Sequence, residues 1–151
     1  MTTDYSDYNA RTKGKYDEIW KNTGKCVFCD LRDKYVVAQN KYAVLTVSLF
    51  PYVDGTLLVL PKRHIEDIRD LNPEEWVGIQ DMMNIGINKL EKSLKVERVF
   101  FYNKNGLKSG GTVAHIHFLI IPFTEGVVNV NPKTINLPPI ELAERLRSTD
   151  V

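Results

Sequence analysis

Two histidines lie two residues apart in an apolar stretch of the chain. His115 and His117 alternate with Ile116 and Phe118 within residues 113–122. Successive side chains of a β-strand point to opposite faces of a sheet, so the two imidazoles are expected to share one face. Imidazole has an ordinary pKa of about 6.5, and its neutral form can act as a nucleophile near neutral pH. The pair therefore predicts nucleophilic chemistry, with packed strand residues as the alternative.

A polar turn rich in glycine and asparagine comes directly before these histidines. Residues 103–112 contain three glycines and two asparagines. Both residue types tolerate positive φ, and such turns let several backbone N–H groups converge on an anion. The turn therefore predicts a phosphate-binding site beside the imidazoles, and a hairpin turn without a ligand is the alternative.

The two cysteines of the chain, Cys26 and Cys29, form a Cys-x-x-Cys pair. In a reducing compartment this spacing favours a metal site or a redox pair over a structural disulfide. No βαβ pattern typical of thioredoxin-like proteins surrounds the pair, which makes a redox role the weaker interpretation. Two small buried residues without a further role are the remaining alternative.

The composition is that of an ordinary globular protein. The chain has 151 residues, enough for one domain with a hydrophobic core. Its net charge of +1, from 20 basic and 19 acidic residues, gives no reason to expect a nucleic-acid or membrane surface. No apolar run approaches the roughly 20 residues of a membrane helix, and residues 1–7 lack an apolar signal core. We therefore expect a cytoplasmic protein.

Hydrophobic periodicity predicts five strands and two helices around the candidate residues. The long helix is expected to begin after Asn72, with Pro73 at its first position and Glu75 completing a capping box. Its apolar stripe is expected in the core and comprises Trp76, Ile79, Met83, Ile87, Leu90 and Leu94. The strands are expected near residues 35–38, 42–47, 56–61, 98–102 and 113–121, and a short final helix near residues 140–146.

This order of elements predicts an α+β domain in which one antiparallel sheet packs against the long helix. Residues 1–25 are expected to form a polar N-terminal arm that includes a short helix at residues 15–21. Residues 26–151 are expected to form the domain, with a C-terminal extension from about residue 123.

The histidine stretch resembles the signature of the histidine triad (HIT) family, which is His-φ-His-φ-His-φ-φ with φ apolar. His115 and His117 occupy the first two histidine positions, and Leu119 occupies the third. The resemblance covers roughly residues 26–122, where three further pieces occur in the family's order: Cys26-x-x-Cys29, residues 55–64 and residues 105–112. It implies a HIT-like sheet with one long helix and, since family members often pair, a homodimer.

This resemblance implies an enzyme that acts at the α-phosphate of nucleotide derivatives, such as dinucleoside polyphosphates or nucleoside phosphoramidates. As the middle histidine, His117 is implied to attack phosphorus and form a nucleotidyl-histidine intermediate. Water would resolve this intermediate in a hydrolase, and inorganic phosphate would resolve it in a transferase. The residues implied to contact substrate are Asn103, Asn105, Gly111, Thr112, Ser48 and Phe50. For Phe50, a place in the hydrophobic core is the alternative to a contact with the base.

Some HIT proteins that this chain resembles hold a structural zinc ion. The positions that bind the ion there correspond to Cys26, Cys29, His64 and His115 here. Such a Cys2His2 set satisfies the tetrahedral coordination of a structural zinc site. The ion is expected to tie the N-terminal turn to the strand that carries the histidines.

Two positions depart from the family pattern. Leu119 can neither contact phosphate nor protonate a leaving group, and Thr56 stands where the family commonly has histidine. These departures favour a weak enzyme, with two alternatives: a non-catalytic zinc-containing nucleotide-binding module, and a galactose-1-phosphate uridylyltransferase-like activity. The loop at residues 50–52 and the proline-rich C-terminal extension look closer to the diadenosine-polyphosphate hydrolase and phosphorylase branch than to the phosphoramidase branch.

Overall fold

The computed structural model describes residues 24–49, 51–105, 113–123 and 136–151. Its strands are β1 (Val36–Gln39), β2 (Ala43–Val47), β3 (Leu57–Pro61), β4 (Val99–Asn103) and β5 (Phe118–Pro122). Helix α1 (Pro73–Leu94) separates β3 from β4, and helix α2 (Pro139–Arg147) follows β5. Short 3-10 helices occur at Asp33–Tyr35 and Ile68–Asp70. These elements confirm the expected α+β class, whereas the predicted helix at residues 15–21 lies outside the described residues.

The five strands form one antiparallel sheet in the spatial order β1-β2-β3-β5-β4. Strand β5 lies between β3 and β4, and Phe118 is its first paired residue on both sides. Val59 of β3 and Asn103 of β4 are the partners of Phe118. Both candidate histidines therefore lie just before the point where strand pairing begins.

Alternate residues of β5 face different hydrophobic clusters. Phe118 and Ile120 pack in the cluster that includes residues of α1 and α2. Leu119 and Ile121 pack on the opposite face, in a cluster that also contains Phe28 of the Cys-x-x-Cys turn. The sheet therefore has the helices on one face and the cysteine turn on the other.

Helix α1 begins as predicted. The Asn72 side-chain oxygen accepts from the Glu75 backbone N–H at 2.8 Å, and a Glu75 carboxylate oxygen accepts from the Asn72 N–H at 3.0 Å. These reciprocal hydrogen bonds satisfy two N–H groups for which a helix offers no intrahelical partner. The capping box therefore sets the start of the helix that covers the sheet.

The stripe of α1 that packs on the sheet differs from the predicted one at its first residue. Trp76 is 41% exposed, so its prediction as a core residue is wrong. The indole packs against the Phe118 ring, with 5.6 Å between centroids, but much of its surface stays exposed. The buried residues that face the sheet are Ile79, Met82, Gly86 and Leu90.

Gly86 permits a close approach between α1 and the sheet. A Cβ atom at this position would lie 3.0 Å from a Leu45 methyl carbon and 3.2 Å from an Ile120 methyl carbon. Glycine costs a helix interior about 1 kcal/mol relative to alanine, and the close packing of helix on sheet offsets that cost here.

Candidate metal centre and active site

Four side chains of the types that bind metals converge on one point near the start of β5. The ligand atoms of Cys26, Cys29, His64 and His115 all lie within 4.8 Å of one another. Cys29 Sγ lies 3.2 Å from His64 Nδ1 and 3.5 Å from His115 Nδ1, and Cys26 Sγ lies 3.7 Å from His115 Nδ1. A tetrahedral zinc ion with ordinary bond lengths holds neighbouring sulfur and nitrogen ligands roughly 3.5 Å apart. The four residues are therefore positioned to bind a metal ion.

Local backbone structure brings these four side chains together. The Cys29 N–H donates to the Cys26 carbonyl at 3.1 Å and closes the turn that carries both sulfurs. His64 follows the end of β3, and His115 precedes the start of β5. Since β3 and β5 are adjacent and antiparallel, the end of one lies beside the start of the other.

The second nitrogen of each histidine holds its ring in the orientation that metal binding requires. His115 Nε2 donates to the Pro61 carbonyl at 2.9 Å, and His64 Nε2 lies 3.1 Å from a Glu66 carboxylate oxygen. A carbonyl oxygen can only accept, so the His115 proton sits on Nε2 and the Nδ1 lone pair faces the sulfurs. Such outer partners set ring orientation and basicity in metal sites.

The electrostatics of the cluster also suit a bound cation. His115 is fully buried, and this burial lowers the pKa of its imidazole, which favours the neutral form that binds metals. Desolvation and the neighbouring Cys26 raise the pKa of the Cys29 thiol to about 11. Two thiolates side by side repel each other, whereas a divalent cation between them would stabilise both.

The segment that carries His64 is pinned by an ion pair that sequence patterns did not reveal. Arg63 donates through Nε and Nη2 to the two carboxylate oxygens of Glu75 at 2.8 and 2.9 Å. Its Nη2 also donates to the Asp70 carbonyl at 2.8 Å. Glu75 is buried in the first turn of α1, and Arg63 directly precedes His64. The pair therefore ties the segment that carries His64 to the helix.

Replacing Glu75 with glutamine is expected to destabilise the protein by about 1–2 kcal/mol at neutral pH, because Arg63 loses its ionised partner. Hydrogen bonding from Arg63 holds the pKa of the Glu75 carboxyl below its ordinary value. The unfolded chain therefore takes up this proton more readily, and the stabilisation is lost as pH falls through the lower, folded-state pKa. In urea unfolding from about pH 7 down to about pH 3, the difference between wild type and variant should shrink. A difference independent of pH would contradict this role.

His117 lies just outside the metal cluster, with its backbone and ring both held. Its Nδ1 donates to the His115 carbonyl at 2.9 Å, and the Asn103 side-chain amide donates to the His117 carbonyl at 2.7 Å. Because a carbonyl can only accept, Nδ1 carries the proton of the neutral ring. The lone pair of the neutral His117 ring therefore belongs to Nε2.

The predicted strand at residues 113–121 was too long at its N-terminal end, since β5 begins at Phe118. The Ile116 N–H donates to the Ile65 carbonyl at 2.7 Å, and the Asn103 side chain takes the His117 carbonyl. These groups are thereby diverted from strand pairing. The two histidines nevertheless share a side, since both rings pack against Phe28.

Of the other residues predicted to contact substrate, the structure describes Ser48 and Asn105. Ser48 is 1% exposed, and its hydroxyl has no hydrogen-bond partner among the described residues. The Asn105 side-chain oxygen accepts from the Ile68 N–H at 2.7 Å, so this amide braces the loop after β3. Phe50, Gly111 and Thr112 lie outside the described residues.

Of the two departures from the family pattern, Leu119 is buried among apolar residues, and Thr56 hydrogen-bonds to the backbone of its own turn. Leu119 is 3% exposed and pairs with Leu58 of β3 and Tyr102 of β4. The Thr56 hydroxyl donates to the Val53 carbonyl at 2.7 Å and accepts from the Val53 N–H at 3.2 Å. Thr56 therefore stabilises the turn before β3.

Comparison with known proteins identifies the family. The profile of the HIT domain matches residues 31–126. This chain belongs to the HIT domain family. It is 28% identical over 96 residues to the bis(5'-adenosyl)-triphosphatase of Dictyostelium discoideum, covering 61% of this chain and 62% of that protein. It is 28% identical over 101 residues to the adenosine 5'-monophosphoramidase of Saccharomyces cerevisiae, covering 64% of this chain and 61% of that protein.

The fold of this HIT protein is also similar to that of a solved relative. The crystal structure of a zinc-bound histidine triad family protein from Mycobacterium smegmatis superposes with a TM-score of 0.69 at 23% identity, covering 83% of this chain and 92% of that chain. The family and the fold expected from the histidine stretch are thereby confirmed. Among the described residues, neither helix combines the length and apolarity that crossing a membrane requires.

Proposed function

We propose that this HIT protein is a nucleotide hydrolase or transferase that acts at the α-phosphate of nucleotide derivatives. The observation that carries the proposal is the geometry of His117, whose Nδ1 donates to the His115 carbonyl and whose lone pair therefore lies on Nε2. The relatives named as a bis(5'-adenosyl)-triphosphatase and an adenosine 5'-monophosphoramidase support this class of substrate.

The reaction proceeds in two displacements at phosphorus. In the first, His117 Nε2 forms a bond to the α-phosphorus while the bond to the leaving group breaks, which gives a nucleotidyl-histidine. In the second, water displaces Nε2 and releases a nucleoside monophosphate, or inorganic phosphate displaces it and releases a nucleoside diphosphate. The fixed Nδ1 proton keeps the ring in one tautomer throughout, as in other oriented imidazole nucleophiles.

The substrate contacts form the second part of the proposal. Asn105, Gly111 and Thr112 are proposed to hold the phosphate, with Asn103 beside them. Phe50 and Ser48 are proposed to contact base and ribose. The buried Ser48 hydroxyl supports this assignment, since it has no hydrogen-bond partner among the described residues, and a ribose hydroxyl that reached it would offset the cost of an unsatisfied polar group.

We further propose that the metal at the Cys2His2 cluster is zinc and that its role is structural. The donor set of two thiolates and two imidazoles is typical of closed structural zinc sites. When bound, the ion supplies a rigid crosslink among the cysteine turn, the segment after β3 and the segment before β5. A reducing, cytoplasmic setting fits this donor set, because it keeps both thiols reduced and able to bind the ion.

A homodimer that forms through β4 completes the proposal. Strand β4 lies at the edge of the described sheet, and its Phe100 and Phe101 are 40% and 39% exposed. Unpaired strand edges with apolar side chains favour pairing with another strand.

In sedimentation velocity, wild type and the exposed control Val151→Lys should be dimers, whereas Phe101→Lys should be a monomer. A monomeric wild type would contradict the dimer.

Product analysis tests the proposed activity. Wild type is incubated with diadenosine tetraphosphate or adenosine phosphoramidate, and nucleotides are separated by chromatography. Formation of AMP supports a hydrolase, and a shift from AMP to ADP when inorganic phosphate is added supports a transferase. Binding by calorimetry without any product would overturn the enzyme and favour the non-catalytic module, for which the buried Leu119 is the specific argument.

A further inference from the structure

Phe28 connects the metal-binding turn to the proposed nucleophile. It lies between Cys26 and Cys29 in the chain and is 9% exposed. Its ring packs edge-on against the His117 ring, with 4.8 Å between centroids and 68° between planes. It also contacts the His115 ring at 6.1 Å and 84°. One aromatic side chain thus touches both a metal-ligand imidazole and the imidazole proposed to attack phosphorus.

The surroundings of Phe28 hold its ring in place. The hydrogen bond between Cys29 and Cys26 closes the turn around it, and a metal ion bound by both cysteines would fix the two flanking residues. Leu119 and Tyr52 belong to the same buried cluster and pack on the same side of the sheet. Since buried side chains at native packing density have little room to move, Phe28 is a rigid wall for the His117 ring.

We propose that Phe28 is a positioning residue for His117. Its ring is held by the metal-binding turn and restricts the orientation of the imidazole, which sets the direction of Nε2. This inference rests on the proposed function of His117. The hydrogen bond from Nδ1 to the His115 carbonyl fixes one atom of the ring, and the T-shaped contact with the Phe28 ring fixes its plane. Reactions that depend on near-attack geometry lose about 100-fold for a misplacement of 1 Å.

Substitution of Phe28 separates positioning from substrate binding. Phe28→Leu and Phe28→Met keep apolar volume but remove the ring edge, and each is expected to lower kcat roughly 10- to 100-fold while KM changes less than about threefold. Phe28→Tyr keeps the aromatic ring, so its kcat should be close to that of wild type. Val27→Ala alters the other residue between the cysteines and should leave kcat unchanged. Metal content, measured for every variant, should equal that of wild type.

A second measurement decides the inference without turnover. In wild type, the order parameter of the His117 Cε1–H bond, measured by carbon relaxation, should be that of a rigid ring, and it should fall in Phe28→Leu. An unchanged kcat in an active, metal-loaded Phe28→Leu protein, or an unchanged order parameter, would overturn the role of Phe28. An inactive wild type would instead overturn the proposed function, and the order parameter would still show whether Phe28 holds the ring.

Discussion

Replacing His117 with alanine is expected to abolish turnover while the fold and the bound metal remain. His117 is half-buried, and its side chain is outside the four-residue metal cluster. Alanine therefore removes Nε2 without removing a metal ligand. Loss of a nucleophile that forms a covalent intermediate lowers kcat by roughly three orders of magnitude or more. Initial rates of AMP release, circular dichroism and metal analysis on the same samples measure the three quantities together.

A second variant sharpens this test. His117→Gly leaves space for a small nucleophile, and free imidazole added to the solution should partly restore turnover by taking the place of the missing ring. The backbone hydrogen bond from Asn103 to residue 117 does not need the imidazole, so the cavity should keep its shape. Substantial activity of His117→Ala without added imidazole would contradict the assignment of His117 as nucleophile.

Replacing Cys26 with serine is expected to remove the metal and lower the free energy of unfolding. A metal that binds only the folded site adds its binding free energy to stability, about 4 kcal/mol at roughly a thousand times its Kd. Cys26 also belongs to the hydrophobic cluster that contains Phe28 and Leu119, so a less ordered turn would weaken the packing of these residues. Turnover per folded molecule should fall less than it does in His117→Ala.

Metal stoichiometry and urea unfolding test this expectation. Wild type treated with a strong chelator should approach the stability of Cys26→Ser, and addition of zinc should restore only wild type. Cys29→Ser should behave like Cys26→Ser, because both sulfurs contact the histidine ligands. Val27→Ala, in the same turn, should keep its metal. Equal metal content in wild type and Cys26→Ser would contradict the proposed metal site.

Local signals predicted the elements that depend on local chemistry. Asn72 and Glu75 form the capping box that their spacing predicts, because both hydrogen bonds lie within one helical turn. In the sequence alone, Gly86 is an unfavourable residue for a helix interior. Its role, to allow a close approach of the helix to the sheet, depends on contacts with Leu45 and Ile120. Contacts between distant segments of the chain leave no local pattern by which to predict them.

The start of β5 shows where a periodic pattern misleads. The alternation of apolar residues continues upstream of Phe118, so the strand was expected from residue 113. Its backbone bonds are diverted by Ile65 and by the Asn103 side chain, neither of which the pattern contains. The side chains still alternate, so the common side of His115 and His117 was predicted correctly.

The site was predictable as a set of residue types but not as a geometry. The resemblance named all four residues of the cluster, and the structure brings their ligand atoms together. Phe28 was missed, although its place between the two cysteines was a usable signal. The ion pair of Arg63 with Glu75 was missed because it joins a loop to a helix across twelve residues.

Covalent capture of the intermediate tests whether His117 is the nucleophile. Wild type and His117→Ala are mixed briefly with diadenosine tetraphosphate or adenosine phosphoramidate, quenched, and examined by intact-protein mass spectrometry under conditions that preserve phosphohistidine-type bonds. A mass increase of one adenylyl group is expected on wild type, located at His117 by peptide mapping and absent from His117→Ala. Product formation by wild type without any adduct, or an equal adduct on His117→Ala, would contradict it.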